Sequence, residues 1–338
     1  MGSNPVKGRV HLAVDAMGGD FAPREIVTGA VRGARELGIA VSLVGRPEEV
    51  QRELDELDTH GSDLNLVPAG EVIEFDENPL EALRSKPDAS INVACDMVAA
   101  GAADGALTMG HTGAGLISAK HHFGNIQGVE RPAPIVPLLG LRKDLFLIDA
   151  GANTEVRPKH LLQFARMGSL YARLAAGIEK PTIGLLSIGS EANKGNKVSR
   201  QAYRLLEAAR DIDFFGNIEG HTMLESAVNV IVCDGFVGNV LFKTIEGVIE
   251  ALLSQVESLM PQIAGFPSAL FKNHLESLRL KHDYATIGAA ALLGLRKPLF
   301  IGHGRSTAGA VVNGLATAKK TIQLNVLENI RIAMETAS

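Results

Sequence analysis

The sequence predicts an α/β protein: a three-layer αβα, doubly wound arrangement around a mainly parallel sheet. Two observations carry that expectation. Five times a short apolar run gives way to a glycine-rich polar loop and then to an amphipathic helical pattern, and strands alternating with helices of this length build covered parallel sheets. The 338 residues are also 46% hydrophobic and 21% charged, which supplies a full core.

The first unit is the strand Val10–Val14, the loop Asp15-Ala16-Met17-Gly18-Gly19-Asp20-Phe21-Ala22, and a helix over Arg24–Leu37 behind Pro23. Proline at a helix start lacks an N–H that would have no partner there. A strand, glycine loop and helix in this order can bring amides and a helix N-terminus to an anion. The second unit is Gly105–Met109, Gly110-His111-Thr112-Gly113 and a helix through Lys120. The third is Leu145–Ile148, Asp149-Ala150-Gly151-Ala152-Asn153 and a helix from Pro158 to about Ala176. In the fourth, Thr182–Ile188 precedes the loop Gly189–Asn196 and a helix to Ala209. The fifth runs from Val228–Cys233 through Asp234-Gly235-Phe236-Val237-Gly238-Asn239 into a helix to about Leu259. Ligands bind at the carboxyl ends of parallel strands, so all five loops are expected to face one crevice.

The chain reads as one intertwined unit over 8–335, with a possible subdivision near 131–140 where Arg131-Pro132-Ala133-Pro134 and Pro137 break the alternation. Over 247–283 the pattern fails. Leu252, Leu253, Val256, Leu259, Met260 and Ile263 form a helical stripe, and Ala264-Gly265-Phe266-Pro267 breaks it. Leu270, Phe271, Leu275, Leu278 and Leu280 then recur among Lys272, His274, Arg279, Lys281 and His282. The expectation is an inserted amphipathic helical hairpin, basic towards its end.

A net charge of −5 gives no whole-protein case for nucleic acid. Two cysteines do not make a disulfide framework. Residues 1–9 are polar and Val10–Val14 is too short for a signal-peptide core, and no apolar run reaches the length of a spanning helix. The expectation is a cytoplasmic protein.

A dinucleotide G-x-G-x-x-G is absent, and Lys194 precedes Gly195 instead of following it, unlike a P-loop. No zinc-hydrolase or serine-elbow motif occurs. What remains is glycine loops with Lys194 among them, either a phosphate ligand and stabiliser of developing negative charge or a solvated loop lysine. Asn153 and Asn239 suit an oxyanion or a helix cap. Asp15, Asp20, Asp149 and Asp234 end strands; they accept from loop amides and orient Lys194 or asparagines, with a magnesium site as the rival reading. His111 is a base, an anion donor or a solvated loop residue. Cys233, in Val-Ile-Val-Cys, reads as a buried strand residue ahead of an acyl carrier.

Taken together, these loops resemble the bacterial phosphate acyltransferase family, the acyl-carrier-protein:phosphate transacylases of phospholipid synthesis. The resemblance runs from about Val10 to Val326 and rests on Asp15–Asp20, Arg84-Ser85-Lys86 with Ser90, Thr112-Gly113-Ala114, Arg131-Pro132, Asp149–Asn153, Lys194-Gly195-Asn196 and Asp234–Asn239. It implies a fold similar to the isocitrate/isopropylmalate dehydrogenase and phosphotransacetylase group, a homodimer, and conversion of acyl-ACP and phosphate to acyl phosphate and ACP without a cofactor or metal. By this resemblance Lys194 and Asn239 are catalytic. Asp15, Gly18, Gly19, Asp20, His111, Thr112, Gly113, Asn153, Gly195, Asn196, Asp234 and Gly235 bind phosphate or substrate. His111 stands where the family commonly has Asn, and Ala89 replaces a frequent Ser.

The reaction suits these loops. Phosphate needs little deprotonation, a thiolate leaves readily, and what remains is to hold phosphate and stabilise an oxyanion. Direct displacement without an acyl-enzyme is expected. Two alternatives stand beside it: a metal- and nicotinamide-dependent decarboxylating dehydrogenase, and a non-catalytic membrane-surface scaffold. The hairpin, with Leu259, Phe266, Leu270, Phe271 and Lys272, reads as core or dimer packing, as a device for peripheral membrane contact, or as basic steering for acidic ACP. The resemblance favours the membrane, where a glycerol-3-phosphate acyltransferase consumes the product.

Overall fold

The computed structural model describes residues 8–138, 142, 144–259 and 288–336. Its first strand, β1 (His11–Asp15), alternates as a doubly covered strand must: Leu12 and Val14 enter one buried cluster and Ala13 another on the opposite face. α1 (Arg24–Leu37) follows, burying Ile26, Val27, Ala30, Val31 and Ala34 on one stripe. Next come β2 (Ala40–Gly45), α2 (Pro47–Asp55), β3 (Asp63–Pro68), α3 (Pro79–Ser85), α4 (Ser90–Ala99), β4 (Gly105–Thr108) and α5 (Thr112–Phe123). The middle of the chain supplies β5 (Ala133–Pro137), β6 (Phe146–Ile148), α6 (Pro158–Ala175), β7 (Thr182–Leu186), α7 (Lys197–Ala208), β8 (Asp213–Ile218) and β9 (Val230–Val232). α8 (Gly235–Leu259), β10 (Ala289–Leu293), β11 (Leu299–Gly302), α9 (Ala308–Gln323) and α10 (Val326–Thr336) complete the described chain.

The eleven described strands form one sheet in the order β3-β2-β1-β4-β11-β10-β5-β6-β9-β7-β8. Most neighbours are parallel, and the helices form a layer on each face. α1, α6, α7, α9 and α10 share one buried cluster. On the other face α4 and α5 cover the first half, and α8 covers the second through Leu241, Phe242 and Ile245.

Three consecutive antiparallel pairings, β11 with β10, β10 with β5, and β5 with β6, reverse the sheet's direction midway. This corrects the expectation of a single crevice fed by all five loops. The loops after β1, β4 and β11 leave one edge of the sheet; those after β6, β7 and β9 leave the opposite edge. Ile135 pairs with both Ile148 and Ala291, so the reversal is built around β5 itself, inside the proline-rich stretch that breaks the sequence pattern.

α8 runs through 247 to Leu259, where the sequence pattern carried the fifth helix; the expected break at 264–267 lies outside the described residues. Along this helix Phe236, Val240, Val248, Leu252, Val256 and Leu259 are exposed. Phe266, Leu270, Phe271 and Lys272, the rest of the expected hairpin, lie outside the described residues. Among the described residues no helix is long and apolar enough to cross a membrane.

Candidate active site

At the first edge the β1, β4 and β11 loops are tied together. Asp15, buried, accepts from the Met17 amide at 3.2 Å and from Thr108 Oγ1 at 2.7 Å. Thr108 Oγ1 in turn accepts from the Gly110 amide at 3.0 Å, and the Asp20 amide donates to Gly304 O at 2.7 Å. Burial pushes the Asp15 carboxyl up, against the Ser90 and Thr108 hydroxyls and the Met17 and Gly18 amides that pull it back. His111 is the N-cap of α5: its Nδ1 accepts from the Gly113 amide at 2.9 Å and the Ala114 amide at 3.3 Å. That fixes the proton on Nε2 and explains how a histidine fills a position that an asparagine also suits. A cavity of about 230 Å³ here is bordered by Asp15, Gly18, Gly19, Asp20, Glu74 and His111. Its carboxylates oppose an anion.

The second edge repeats the self-capping. Asp149, fully buried, accepts from the amides of Gly151 (2.9 Å), Ala152 (2.7 Å) and Asn153 (2.8 Å) and from Asn153 Nδ2 (2.7 Å). Burial raises its carboxyl, and these donors oppose the rise. Asn153 Nδ2 also donates to Pro132 O, so the side chain is held away from solvent. Asp234 accepts from the Val237 amide and Asn196 from the Ser199 amide, each at 2.9 Å. The amides expected to cradle an anion are thus largely taken up by the loops' own side chains, and Asp15, Asp149 and Asp234 accept from loop amides as the sequence reading expected.

Gly195 adopts φ +92°, a left-handed conformation in which a side chain would be strained, and its Cβ would meet Ser199 Oγ. Gly195, Asn196, Ser199, Cys233 and Asp234 border a cavity of about 170 Å³ at this edge. Lys194 lies beside it without lining it; the side chain is half-exposed, with Nζ 4.0 Å from Glu191 Oε1. Lys194 and the Met17–Asp20 loop therefore stand at opposite edges of the sheet. Cys233 is buried with a free thiol, and burial, then Asp149 and Asp234, push its pKa well above the ordinary value. An inert thiol is the consequence.

Between the edges, a third cavity of about 170 Å³ crosses the face of β5, β10 and β11, in the gap between α5 and α8. Thr112 borders it from the first edge, Gly151 and Asn239 from the second. Gly238 lets α8 come this close: a Cβ there would run into the Asp149 carbonyl. Asn239 consequently reaches over Gly151, whose own Cβ would be 2.9 Å from Asn239 Nδ2. The floor is apolar, with Val136, Phe242, Ala290 and Ile301. Its polar groups among the described residues are Thr112, Asn239, Lys243 and His303, and no described carboxylate lines it.

Lys243 and His303 escaped the sequence reading. The available signals were helical spacing, which sets Lys243 four residues after Asn239 on one face, and the tripeptide Gly302-His303-Gly304 at a strand end. Among the described residues no cluster of three His, Cys, Asp or Glu is arranged to hold a metal.

Comparison with known proteins agrees with this architecture. The phosphotransacetylase of Streptococcus pyogenes superposes with a TM-score of 0.60 at 16% identity, over 95% of this chain and 94% of that one, a likeness of fold alone. The phosphate acyltransferase of Nostoc punctiforme is 43% identical over 327 residues, 96% of each chain. That of Desulforamulus reducens is 40% identical over 327 residues, 96% of this chain and 98% of its own. A family model described as "Fatty acid synthesis protein" matches residues 10–329. The chain belongs to that family, the family of the phosphate acyltransferases.

Proposed function

We propose that this enzyme moves a fatty acyl group from the thioester of acyl carrier protein to inorganic phosphate, giving acyl phosphate and free carrier for phospholipid synthesis. The observation that carries the reading is the cavity across β5, β10 and β11. Among the described residues it alone of the three joins both sheet edges, pairs an apolar floor with donors, and has no carboxylate in its lining. A thioester needs such a floor and a dianionic nucleophile needs such donors.

Phosphate attacks directly. Asn239 donates to the carbonyl oxygen as charge develops on it, and Lys194 brings positive charge from the neighbouring loop. Asp15, Gly18, Gly19, Asp20 and His111 border a cavity whose carboxylates suit a neutral, hydrogen-bonding part of the carrier arm better than phosphate. Gly113 belongs to the same α5 N-terminus. Asn153, Asp234 and Gly235 hold the Gly151–Asn239 corner together, and Gly195 and Asn196 shape the turn behind Lys194. No cofactor is required. The exposed apolar residues of α8, Leu259 included, support a homodimer contact or a peripheral seat on a membrane, where a glycerol-3-phosphate acyltransferase takes the reactive product.

The test is phosphate-dependent thiol release from palmitoyl-ACP. Lys194→Ala should lose on the order of 10²-fold in kcat, the scale of one oxyanion donor. Cys233→Ala should keep most of its turnover, because the buried thiol carries no acyl group. Thiol release indifferent to phosphate would overturn the proposal, and a nicotinamide-dependent absorbance change would favour a dehydrogenase.

A further inference from the structure

We propose that Gly189 is a positioning residue for Lys194: by carrying no side chain it gives the lysine stem the seat that sets where its ammonium stands. The inference rests on the acyl-transfer reading above, in which Lys194 supplies positive charge, and deepens it.

The loop between β7 and α7 holds two glycines of different kinds. Gly195 is required by its backbone, at φ +92°. Gly189 keeps a φ outside the left-handed region, one that L-residues adopt readily. What excludes a side chain there is space. Gly189 is buried, and a Cβ built on it would lie 2.8 Å from Lys194 Cγ, 3.2 Å from Lys194 Cδ and 3.1 Å from Glu191 Oε2. Lys194 Nζ and Glu191 Oε1 are 4.0 Å apart, so the stem of the lysine and the carboxylate facing its ammonium both rest on this one glycine.

The loop around them is pinned, so its backbone does not absorb a side chain at 189. The Ser187 amide donates to Ile218 O at 2.8 Å as the chain leaves β7. Glu191 O accepts from the Lys194 amide at 3.0 Å and from Asn217 Nδ2 at 2.8 Å. Asn217 is buried on β8, so the second of these bonds ties the loop to the sheet. On the far side of the turn Arg200 Nη1 donates to Gly195 O at 2.9 Å. The part that yields is the half-exposed Lys194 side chain.

The size of the effect follows from these distances. Carbon–carbon contacts settle at about 3.5–4.0 Å, so a methyl group at 189 moves Lys194 Cγ by about 1 Å. The ammonium at the end of the same stem moves with it. Misplacing a charge by that distance at a reacting centre costs up to about 10²-fold in rate. Stability responds little, because the atoms the methyl meets belong to exposed side chains and not to the core.

The experiment is a double-mutant cycle in phosphate-dependent thiol release from palmitoyl-ACP: Gly189→Ala, Lys194→Ala and the double variant, with circular dichroism and thermal melting to confirm folding. Gly189→Ala should lower kcat by about tenfold to 10²-fold, with KM values and melting temperature near those of the parent. In the Lys194→Ala background the same substitution should change kcat by less than about twofold, because the group it displaces is gone. Gly220→Ala should match the parent, since no described residue lies within 4 Å of a Cβ at that glycine beyond β8. Parental kcat in a folded Gly189→Ala enzyme overturns the proposal. So does an equal loss in both backgrounds, which would mean that the glycine supports the loop and not the lysine. If the parent itself releases no thiol, the functional reading fails separately. NMR of carbon-13-dimethylated lysines then decides the positioning. The Lys194 signal, identified by its loss in Lys194→Ala, must shift in Gly189→Ala and stay in place in Gly220→Ala; a signal unmoved by Gly189→Ala overturns the inference.

Discussion

Replacing Gly238 by alanine tests whether the approach of α8 to the Asp149 loop builds the site. The added Cβ would fall against the Asp149 carbonyl oxygen, 3.0 Å from its carbonyl carbon and 3.1 Å from Cys233 Sγ. The oxygen is the nearest of the three, and carbon and oxygen rest about 3.3–3.6 Å apart, so the start of α8 must withdraw by roughly 1–1.5 Å. Asn239, the next residue, moves with it away from Gly151. A displacement of that size costs up to about 10²-fold in rate when the group acts on the reacting centre. Stability responds less. Overpacking costs about 1–3 kcal/mol, and alanine recovers about 1 kcal/mol over glycine in a helix, leaving roughly 0–2 kcal/mol. The signature is a large fall in kcat with a small fall in melting temperature. Gly247→Ala is the control, because no described residue lies within 4 Å of a Cβ at that position on the same helix. Phosphate-dependent thiol release and thermal melting of both variants decide the matter. A Gly238→Ala enzyme with parental kcat would refute the link between helix approach and catalysis.

His111→Asn should melt and turn over like the parent, because an asparagine oxygen replaces Nδ1 as the cap of the Gly113 and Ala114 amides; His111→Ala should lose about 0.5–2 kcal/mol by denaturant unfolding. Glu130 pairs with Lys159, Arg157 and His160, and the Lys159 and His160 hydrogen bonds bring its pKa from the ordinary 4.5 down to about 2. A carboxyl depressed on folding stabilises above its ordinary pKa and loses that contribution as pH falls from 4.5 towards 2, so Glu130→Gln should flatten the acid side of a melting-temperature profile.

Local pattern made much of this molecule legible. Arg24–Leu37 is a helix because its apolar residues recur on one stripe behind a proline, and the chain folds it over those residues. Five apolar runs before glycine loops are strands for a similar reason. What local pattern did not contain is the reversal at β5. Antiparallel pairing of β10 with β5 joins residues far apart in sequence, and alanine-rich Ala289–Leu293 carries little strand signal of its own. Lacking that reversal, the glycine loops look equivalent, and Lys194 reads as a neighbour of Met17–Asp20. The aspartate caps were legible: carboxylates at strand ends were expected to accept from loop amides, and Asp149 does so from Gly151, Ala152 and Asn153.

β10 and β11 have a consequence for synthesis. They are drawn from residues 289–302 and sit mid-sheet, between β4 and β5. While the nascent chain emerges, β4 and β5 each wait with a bare edge for partners still inside the ribosome. Unpaired edges invite association with other chains, and closures between distant segments are slow. Shortening the protein before residue 289 would therefore remove more than a tail: it would take out the seam that joins one half to the other.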